Sequence, residues 1–375
     1  MRIGIVCYPT YGGSGVVATE LGIALAERGH HVHFITYGQP FRLDDHSTRI
    51  SYHEVRVSDY PLFDYTPYEL VLTSKLVDVV KYEKLDLLHV HYAIPHASAA
   101  YMAQQILKSE GINIPFITTL HGTDITLVGK DPSFEPVITF SINQSNAVTA
   151  VSKSLKEDTY KYFKVKDKAI EVIPNFIDLK KFDFPLDHEA KLALAPNGEK
   201  IVMHVSNFRP VKRIEDLVKV FYQIRLKTPA KLVLIGDGPD RNKIEQMCRT
   251  QYFICDDVKF LGKMKSTEKI LSLADLFLLP SETESFGLAA LEAMAASVPV
   301  ITTNTGGTPE VVEHGYSGFT SNVGDVDDMA KNALNILTDE NNFKLFKSNA
   351  RKKAAEFDIQ KIMPLYEDLY KRVVI

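Results

Sequence analysis

Apolar residues fall in short runs along the chain, and the text between the runs has the period of amphipathic helices. "RIGIVCY" predicts a strand buried on both faces, "PTYGGSG" a loop, "VVATELGIALAERG" a helix and "HHVHFIT" a second strand. That is one β-loop-α-β unit with a glycine-rich turn. "LDLLHVHY", "PFITTLHG" and "NAVTAVS" predict further parallel strands. The pattern restarts at "KIVMHVSNF", followed by the helix "RIEDLVKVFYQIRLK" and the strand "AKLVLIGDGP". Helices "DRNKIEQMCRT" and "STEKILSLA" then alternate with strands "DVKFLGK" and "DLFLLPS", and "VPVITT" closes the series.

The expectation is an α/β protein of two Rossmann-like domains. A length of 375 residues suits two such cores better than one. Prolines and charges cluster over residues 172–191, which marks the seam. The expected division is 1–172, 173–355, and a terminal helix over 356–375 that packs back on the first domain.

Composition narrows the class. Hydrophobic content of 45% and charged content of 24% are ordinary for a globular chain. A formal net charge of −4 argues against nucleic-acid binding, which calls for a basic excess. Three scattered cysteines, Cys7, Cys248 and Cys255, form no disulfide framework. The start "MRIGIVCYP" enters a strand directly, without a signal-peptide pattern, and no run of about 18 apolar residues predicts a transmembrane helix. A cytoplasmic protein is expected.

The candidate chemistry centres on "PSETESFGLAALEAMAAS", residues 280–297, where Glu284 and Glu292 stand eight positions apart in apolar text. At a helical rise of 1.5 Å per residue this is about 12 Å. Between them a helix begins, so amides around Phe286, Gly287 and Leu288 are free to meet a phosphate. Gly287 leaves room for close approach. A diphosphate docked there would place ribose hydroxyls at Glu292 and sugar hydroxyls at Glu284. "SNFRPVKRIEDL" adds Arg209 and Lys212 after the first strand of the second half, where cations would neutralise a diphosphate.

Glu284, Phe286, Gly287 and Glu292, together with "GGSG", "HGTD", "VIPNFID", "GDGP" and "TGGTPEVV" in that chain order, resemble family 4 of the retaining glycosyltransferases. The likeness covers nearly the whole chain and implies the GT-B fold, two Rossmann-like domains facing across a cleft. It implies catalytic roles for His121, Arg209, Lys212 and Glu284. It implies donor contacts from Gly13, Ser14, Gly15, Asn207, Gly236, Gly238, Phe286, Gly287, Leu288 and Glu292. The family arginine five residues before the lysine is replaced here by Asn207, with Arg209 its nearest substitute. Polar residues near strand ends, Ser14, Tyr92, Thr119, His121 and Asn146, are the acceptor candidates. "GIVCYPTYGGSGVVATELG", "VHYAIPHA", "TLHGTDIT" and "SNFRPVKR" narrow the likeness to the branch that moves N-acetylglucosamine from UDP-N-acetylglucosamine to the hydroxyl of L-malate in bacillithiol biosynthesis.

The resemblance also implies retention at the anomeric carbon and no divalent metal, with UDP-N-acetylglucosamine as a substrate rather than a cofactor. No Ser-His-Asp or Cys-His arrangement is legible. A homo-oligomer is left open. Three rival readings stand beside this one. A dehydrogenase would need an acid ending the second strand, which "HHVHFITYGQP" lacks. A metal hydrolase would use His89, His91 and His121, but no acidic or cysteine ligand stands at diagnostic spacing. A non-catalytic sensor would bind a sugar nucleotide without turnover.

Overall fold

The structure is a computed structural model that describes residues 1–10, 13–40, 43, 47–57, 67–166 and 168–374. Two compact units divide the chain. Unit 1 comprises Met1–Asn175 and Gln360–Ile375, and unit 2 is Phe176–Ile359.

Unit 1 holds a parallel sheet of β1 (Arg2–Val6), β2 (His31–Thr36), β3 (Ile50–Glu54), β4 (Leu87–His91), β5 (Phe116–Leu120), β6 (Ala147–Ala150) and β7 (Ile170–Val172). Among the described residues the order is β3-β2-β1-β4-β5-β6-β7. Ile5 of β1 pairs with Phe34 on one side and His89 on the other. Strands β4 and β5 are buried at every position, so they read as unbroken apolar or uncharged runs.

Unit 2 repeats the plan with β8 (Lys200–Ser206), β9 (Ala230–Gly236), β10 (Val258–Gly262), β11 (Leu276–Leu279), β12 (Val300–Thr303) and β13 (Gly318–Ser321). Their order among the described residues is β10-β9-β8-β11-β12-β13, again parallel. In each unit the strand order reverses beside the first strand, between β1 and β4 and between β8 and β11. Ligands of doubly wound sheets gather at the carboxyl ends of the strands flanking such a reversal.

Helices cover both sheets. In unit 1 they are α1 (Gly13–Glu27), α2 (Tyr68–Glu83), α3 (Ser98–Ser109), α4 (Glu135–Gln144) and α5 (Lys153–Tyr162). Unit 2 carries α6 (His188–Leu194), α7 (Ile214–Arg225), α8 (Arg241–Thr250), α9 (Glu268–Leu271), α10 (Leu288–Ala295), α11 (Thr308–Val311), α12 (Val326–Leu337) and α13 (Glu340–Ala354). Helix α7 shows why: Leu217, Val218, Phe221 and Ile224 recur on one face and enter the unit 2 core beside Leu232 and Leu234. Leu72, Leu76 and Val80 of α2 do the same in unit 1 against Ile35 and Val90.

The last helix, α14 (Ile359–Val374), is packed on unit 1 from Gln360 onward. Tyr366 and Tyr370 are fully buried, and the Tyr370 hydroxyl bonds His89 Nδ1 at 2.7 Å. Arg28 meets Glu367 at 3.2 Å on the same helix. All three cysteines are free thiols. No helix among the described residues is long and apolar enough to cross a membrane.

Candidate functional site

The two strands at the reversal in unit 2 deliver an ion pair. Lys212 ends the short turn of helix Pro210–Lys212 that follows β8, and Glu284 lies in the loop after β11. Lys212 Nζ donates to Glu284 Oε1 at 2.6 Å, and Ser281 Oγ donates to the same oxygen at 2.7 Å. Their side chains are 20% and 15% exposed, so the pair is partly shielded from water yet open to a ligand. Beneath it His204 is buried, with Nδ1 at 2.7 Å from the Leu278 carbonyl and Nε2 at 2.7 Å from Ser206 Oγ. Burial pushes this imidazole down to about 4, so it is a neutral strut at pH 7.

Helix α10 begins four residues beyond Glu284. Gly287 caps it at φ 95°, a conformation that disfavours any side chain, and as a glycine it brings no capping side chain to the first-turn amides. Phe286 is buried, Leu288 is half-buried, and Glu292 is half-buried one turn into the helix. The Gly306–Gly307 pair of "TGGTPEVV" closes on this loop. A Cβ at Gly306 would lie 2.2 Å from the Glu284 carbonyl oxygen, and one at Gly307 would lie 2.4 Å from that of Ser285. Gly307 N–H donates to the Glu284 carbonyl at 2.8 Å. The glycines therefore fix the loop that carries the glutamate.

Unit 1 presents a second group at its own reversal. Ser14, in the first turn of α1 after β1, accepts a 2.6 Å hydrogen bond from the hydroxyl of Tyr92, which follows β4. Tyr92 takes φ 87°, an unusual angle for a tyrosine, and strain of this kind gathers where a side chain must be aimed. His121 follows β5, and its Nε2 lies 2.8 Å from His91 Nδ1. The rings of His89, His91 and His121 stack in a row at centroid spacings of 4.6 and 5.0 Å. Burial pushes His89 and His121 down to about 3 and His91 well down, so the row is uncharged at pH 7. Asp124 of "HGTD" accepts from the amides of Ala93 at 2.9 Å and Gly122 at 3.1 Å, which ties the loops after β4 and β5 together. Burial raises its carboxyl to about 6 despite those donors. Beside it opens a pocket of about 590 Å³ lined by Tyr8, Glu69, Tyr92, Asp124, Phe134 and Val137, among others.

Not every candidate reaches these groups. Asn146 precedes β6, so it sits at the amino-terminal edge of the sheet, where its Oδ1 accepts from the Phe116 amide at 3.0 Å and from Gln104 at 3.2 Å. Its side chain clamps the start of β5 to α3. Thr119 is fully buried, and its hydroxyl is held by His89 and Thr149, both at 2.7 Å, so that it supports the histidine row. Gly236 and Gly238 serve the backbone: a Cβ on either would strike the Ser206 or Asn207 carbonyl oxygen at 1.8 or 2.0 Å. They set the loop after β8 that holds Asn207 and Arg209. Both of those are exposed, and among the described residues the Arg209 guanidinium makes no hydrogen bond or ion pair. Gly15 is buried against the carbonyls of Tyr8 and Thr10, Gly13 is exposed at the start of α1, and Gly12 lies outside the described residues. Ser281, His204 and Asp124 are the participants that periodicity does not single out, although Asp124 stands inside the quoted "HGTD".

Family models match both units. That of the glycosyl transferases group 1 covers residues 188–353, and that of glycosyltransferase family 4 covers residues 11–181. The N-acetyl-alpha-D-glucosaminyl L-malate synthase of Bacillus anthracis is 48% identical over 376 aligned residues, covering 100% of this chain and 97% of the relative. The chain belongs to glycosyltransferase family 4. An uncharacterised glycosyltransferase of Methanocaldococcus jannaschii shares 28% identity over 95% of this chain and 94% of its own. Among solved structures, sucrose-phosphate synthase from Thermosynechococcus elongatus superposes with a TM-score of 0.82 at 24% identity, over 99% of this chain and 98% of that one. Anabaena HepE, solved with UDP and glucose, gives 0.83 at 20% identity over 99% and 100%. These neighbours establish the GT-B fold for the family 4 chain. As a glycosyltransferase it has no use for the rival dehydrogenase, hydrolase and sensor readings.

Proposed function

We propose that this glycosyltransferase moves N-acetylglucosamine from UDP-N-acetylglucosamine to the hydroxyl of L-malate with retention at the anomeric carbon, the first step of bacillithiol biosynthesis. The observation that carries the reading is the 48% identity, end to end, with a relative named for that product. In unit 2 the first turn of α10, entered through a glycine, would receive the diphosphate, since backbone amides and the positive helix end favour an anion. Lys212 would neutralise the leaving group, with Arg209 as a second cation that swings in from solvent. Glu284 Oε1 is already engaged by Lys212 and Ser281, which leaves Oε2 to accept from a sugar hydroxyl. Glu292, further along α10, would take the ribose hydroxyls.

The acceptor would bind on unit 1. Among Ser14, Tyr92 and His121 the donors are neutral, and the pocket beside them is acidic through Glu69 and Asp124. The malate carboxylates therefore belong at the first turn of α1, which carries no acid. Neutral His121 offers a hydrogen bond to the acceptor or the sugar without competing for the phosphate charge.

Transfer would proceed on the front face of the sugar. The bond from the anomeric carbon to the diphosphate oxygen breaks, the bond to the malate hydroxyl oxygen forms on the same face, and the hydroxyl proton passes to the departing phosphate oxygen. Charge on the UDP product is met by Lys212 and the helix amides in place of a metal ion. The enzyme would act in the cytoplasm, where its donor is made, as a monomer or a homo-oligomer.

The test is incubation of the full-length chain with UDP-N-acetylglucosamine and a panel of hydroxy acids, following UDP and the glycoside by mass. Product with L-malate, undiminished by EDTA, is expected. Product only with a different small alcohol would replace the acceptor, and donor hydrolysis without any glycoside would remove the transfer reading.

A further inference from the structure

We propose that His33, His53 and Glu83 form a binding site for a divalent transition-metal ion of the zinc class, separate from the residues assigned to glycosyl transfer. The site follows from register. His33 of β2 pairs with Ser51, and His53 of β3 pairs with Ile35, so both imidazoles leave the same face of the sheet on neighbouring strands. Helix α2 covers that face, packing Leu72, Leu76 and Val80 on Ile35, and brings its last residue, Glu83, over the two rings.

His33 Nδ1 lies 3.0 Å from His53 Nε2 and 4.0 Å from Glu83 Oε2, and one ligand atom from each residue lies within 4.8 Å of the others. Bonds of about 2.0–2.1 Å in a tetrahedral zinc site separate ligand atoms by about 3.3 Å. The two imidazoles are thus already near chelating distance, and the carboxylate, 4.0 Å from His33 Nδ1, needs only a small side-chain movement to join them. Two histidines and a carboxylate are a recurrent zinc set, with a fourth position left for water. His53 is half-buried, which leaves that position reachable.

Each ring turns one nitrogen into the contact between them. One N–H now lies in the bond between the rings. On binding, that proton moves through solvent to the outer nitrogen of the same ring, so the net charge of the imidazoles is unchanged. The other charged or titratable groups facing the site are Arg2, Lys75 and His31. Arg2 holds Glu83 Oε2 at 3.1 Å, which fixes the carboxylate and makes the guanidinium the ion's competitor. An ion there would pin the edge strand β3 to β2 and to the end of α2.

The experiment titrates the chelator-stripped full-length chain with ZnCl2 by calorimetry and with Co²⁺ by visible absorption. One ion per chain is expected, with the Co²⁺ spectrum of a low-coordinate nitrogen and oxygen site. His53→Gln and Glu83→Gln should each weaken binding at least about tenfold while leaving the far-ultraviolet circular dichroism unchanged. Arg2→Gln should tighten it several-fold. Unaltered stoichiometry and affinity in His53→Gln would place any bound ion elsewhere and overturn the proposal, as would the absence of binding to the unsubstituted chain. His53 carries the test because its exposure lets the variant fold where a change at buried His33 would not.

Discussion

Lys212 Nζ and Glu284 Oε1 stand 2.6 Å apart, one delivered by the loop after β8 and the other by the loop after β11. The two residues are 72 positions apart in sequence and meet because their strands are neighbours at the reversal of the sheet. Tyr92 and Ser14, 78 positions apart and also 2.6 Å apart, meet at the equivalent place in unit 1. Each unit thus uses the same topological position to bring distant residues together.

Glu284→Gln keeps the shape and Ser281 as a partner but removes the charge that orients Lys212. A fall in kcat of about 100-fold is expected, on the scale of losing one preorganised electrostatic contact. Steady-state kinetics beside a thermal melt would decide: a rate within twofold of the parent removes Glu284 from the chemistry.

Lys212→Ala should cost about as much as Glu284→Gln, and the double variant little more than either. Residues in one ion pair act as a unit, so their effects do not add. A double variant whose losses multiply would show that the two act independently.

Gly307→Ala sets a methyl group 2.4 Å from the Ser285 carbonyl oxygen. The loop carrying Glu284 must shift, and overpacking of this kind destabilises by about 1–3 kcal/mol. We expect KM for the sugar nucleotide to rise and kcat to fall together. Calorimetry of donor binding that matches the parent would show the close approach to be incidental.

Tyr370→Phe removes the hydroxyl that meets His89 Nδ1 and leaves a buried imidazole nitrogen without that partner. Destabilisation of about 1–3 kcal/mol is expected, read from urea unfolding. Because His89 stacks under His91 and His91 bonds His121, kcat should also fall modestly. Unchanged urea midpoints would mean that the hydroxyl is dispensable.

Acid should unfold unit 1 before unit 2. His33, His89, His91, His96 and His121 of unit 1 all have folded pKa values below the ordinary histidine value through burial, to about 3–4 where a value is defined, against only His204 among the lowered histidines of unit 2. His30 and His53 are lowered as well, and both lie in unit 1. Between the folded values and about 6.5 the unfolded chain binds more protons than the native one. Stability therefore rises with pH across that window and is lost as pH falls below about 6.5, by up to about 1.4 kcal/mol per unit for each fully mismatched imidazole. Hydrogen exchange at pH 7.5 and 5.5 would test this, and equal loss of protection in both units would contradict it.

The buried strands were legible because strands covered on both faces must be apolar runs; β1, β4, β8 and β11 all announce themselves in this way. Edge strands β3, β7 and β13 are not legible. They are short or half-exposed, and no period survives in "ISYHE" or "IEV". Lys212 and Glu284 could be placed because each closely follows a strong strand. Asn146 could not, since nearness to a strand end says nothing of which end, and only the carboxyl end faces ligand in a parallel sheet. Thr119 fails for another reason: a strand-end hydroxyl looks available until the neighbouring strand supplies His89 to occupy it.

The route of the chain has one further consequence, for biosynthesis. Unit 1 takes most of its residues from the first half of the sequence but seals His89 with tyrosines from α14, which is translated only after all of unit 2. Emerging from the ribosome, the leading lobe would wait, incomplete, while the whole of its sibling is synthesised, although the sibling is drawn from one uninterrupted stretch. A released chain truncated after residue 359 should keep its first lobe protease-sensitive and its second protected; the reverse order would show that the tyrosines are a late embellishment.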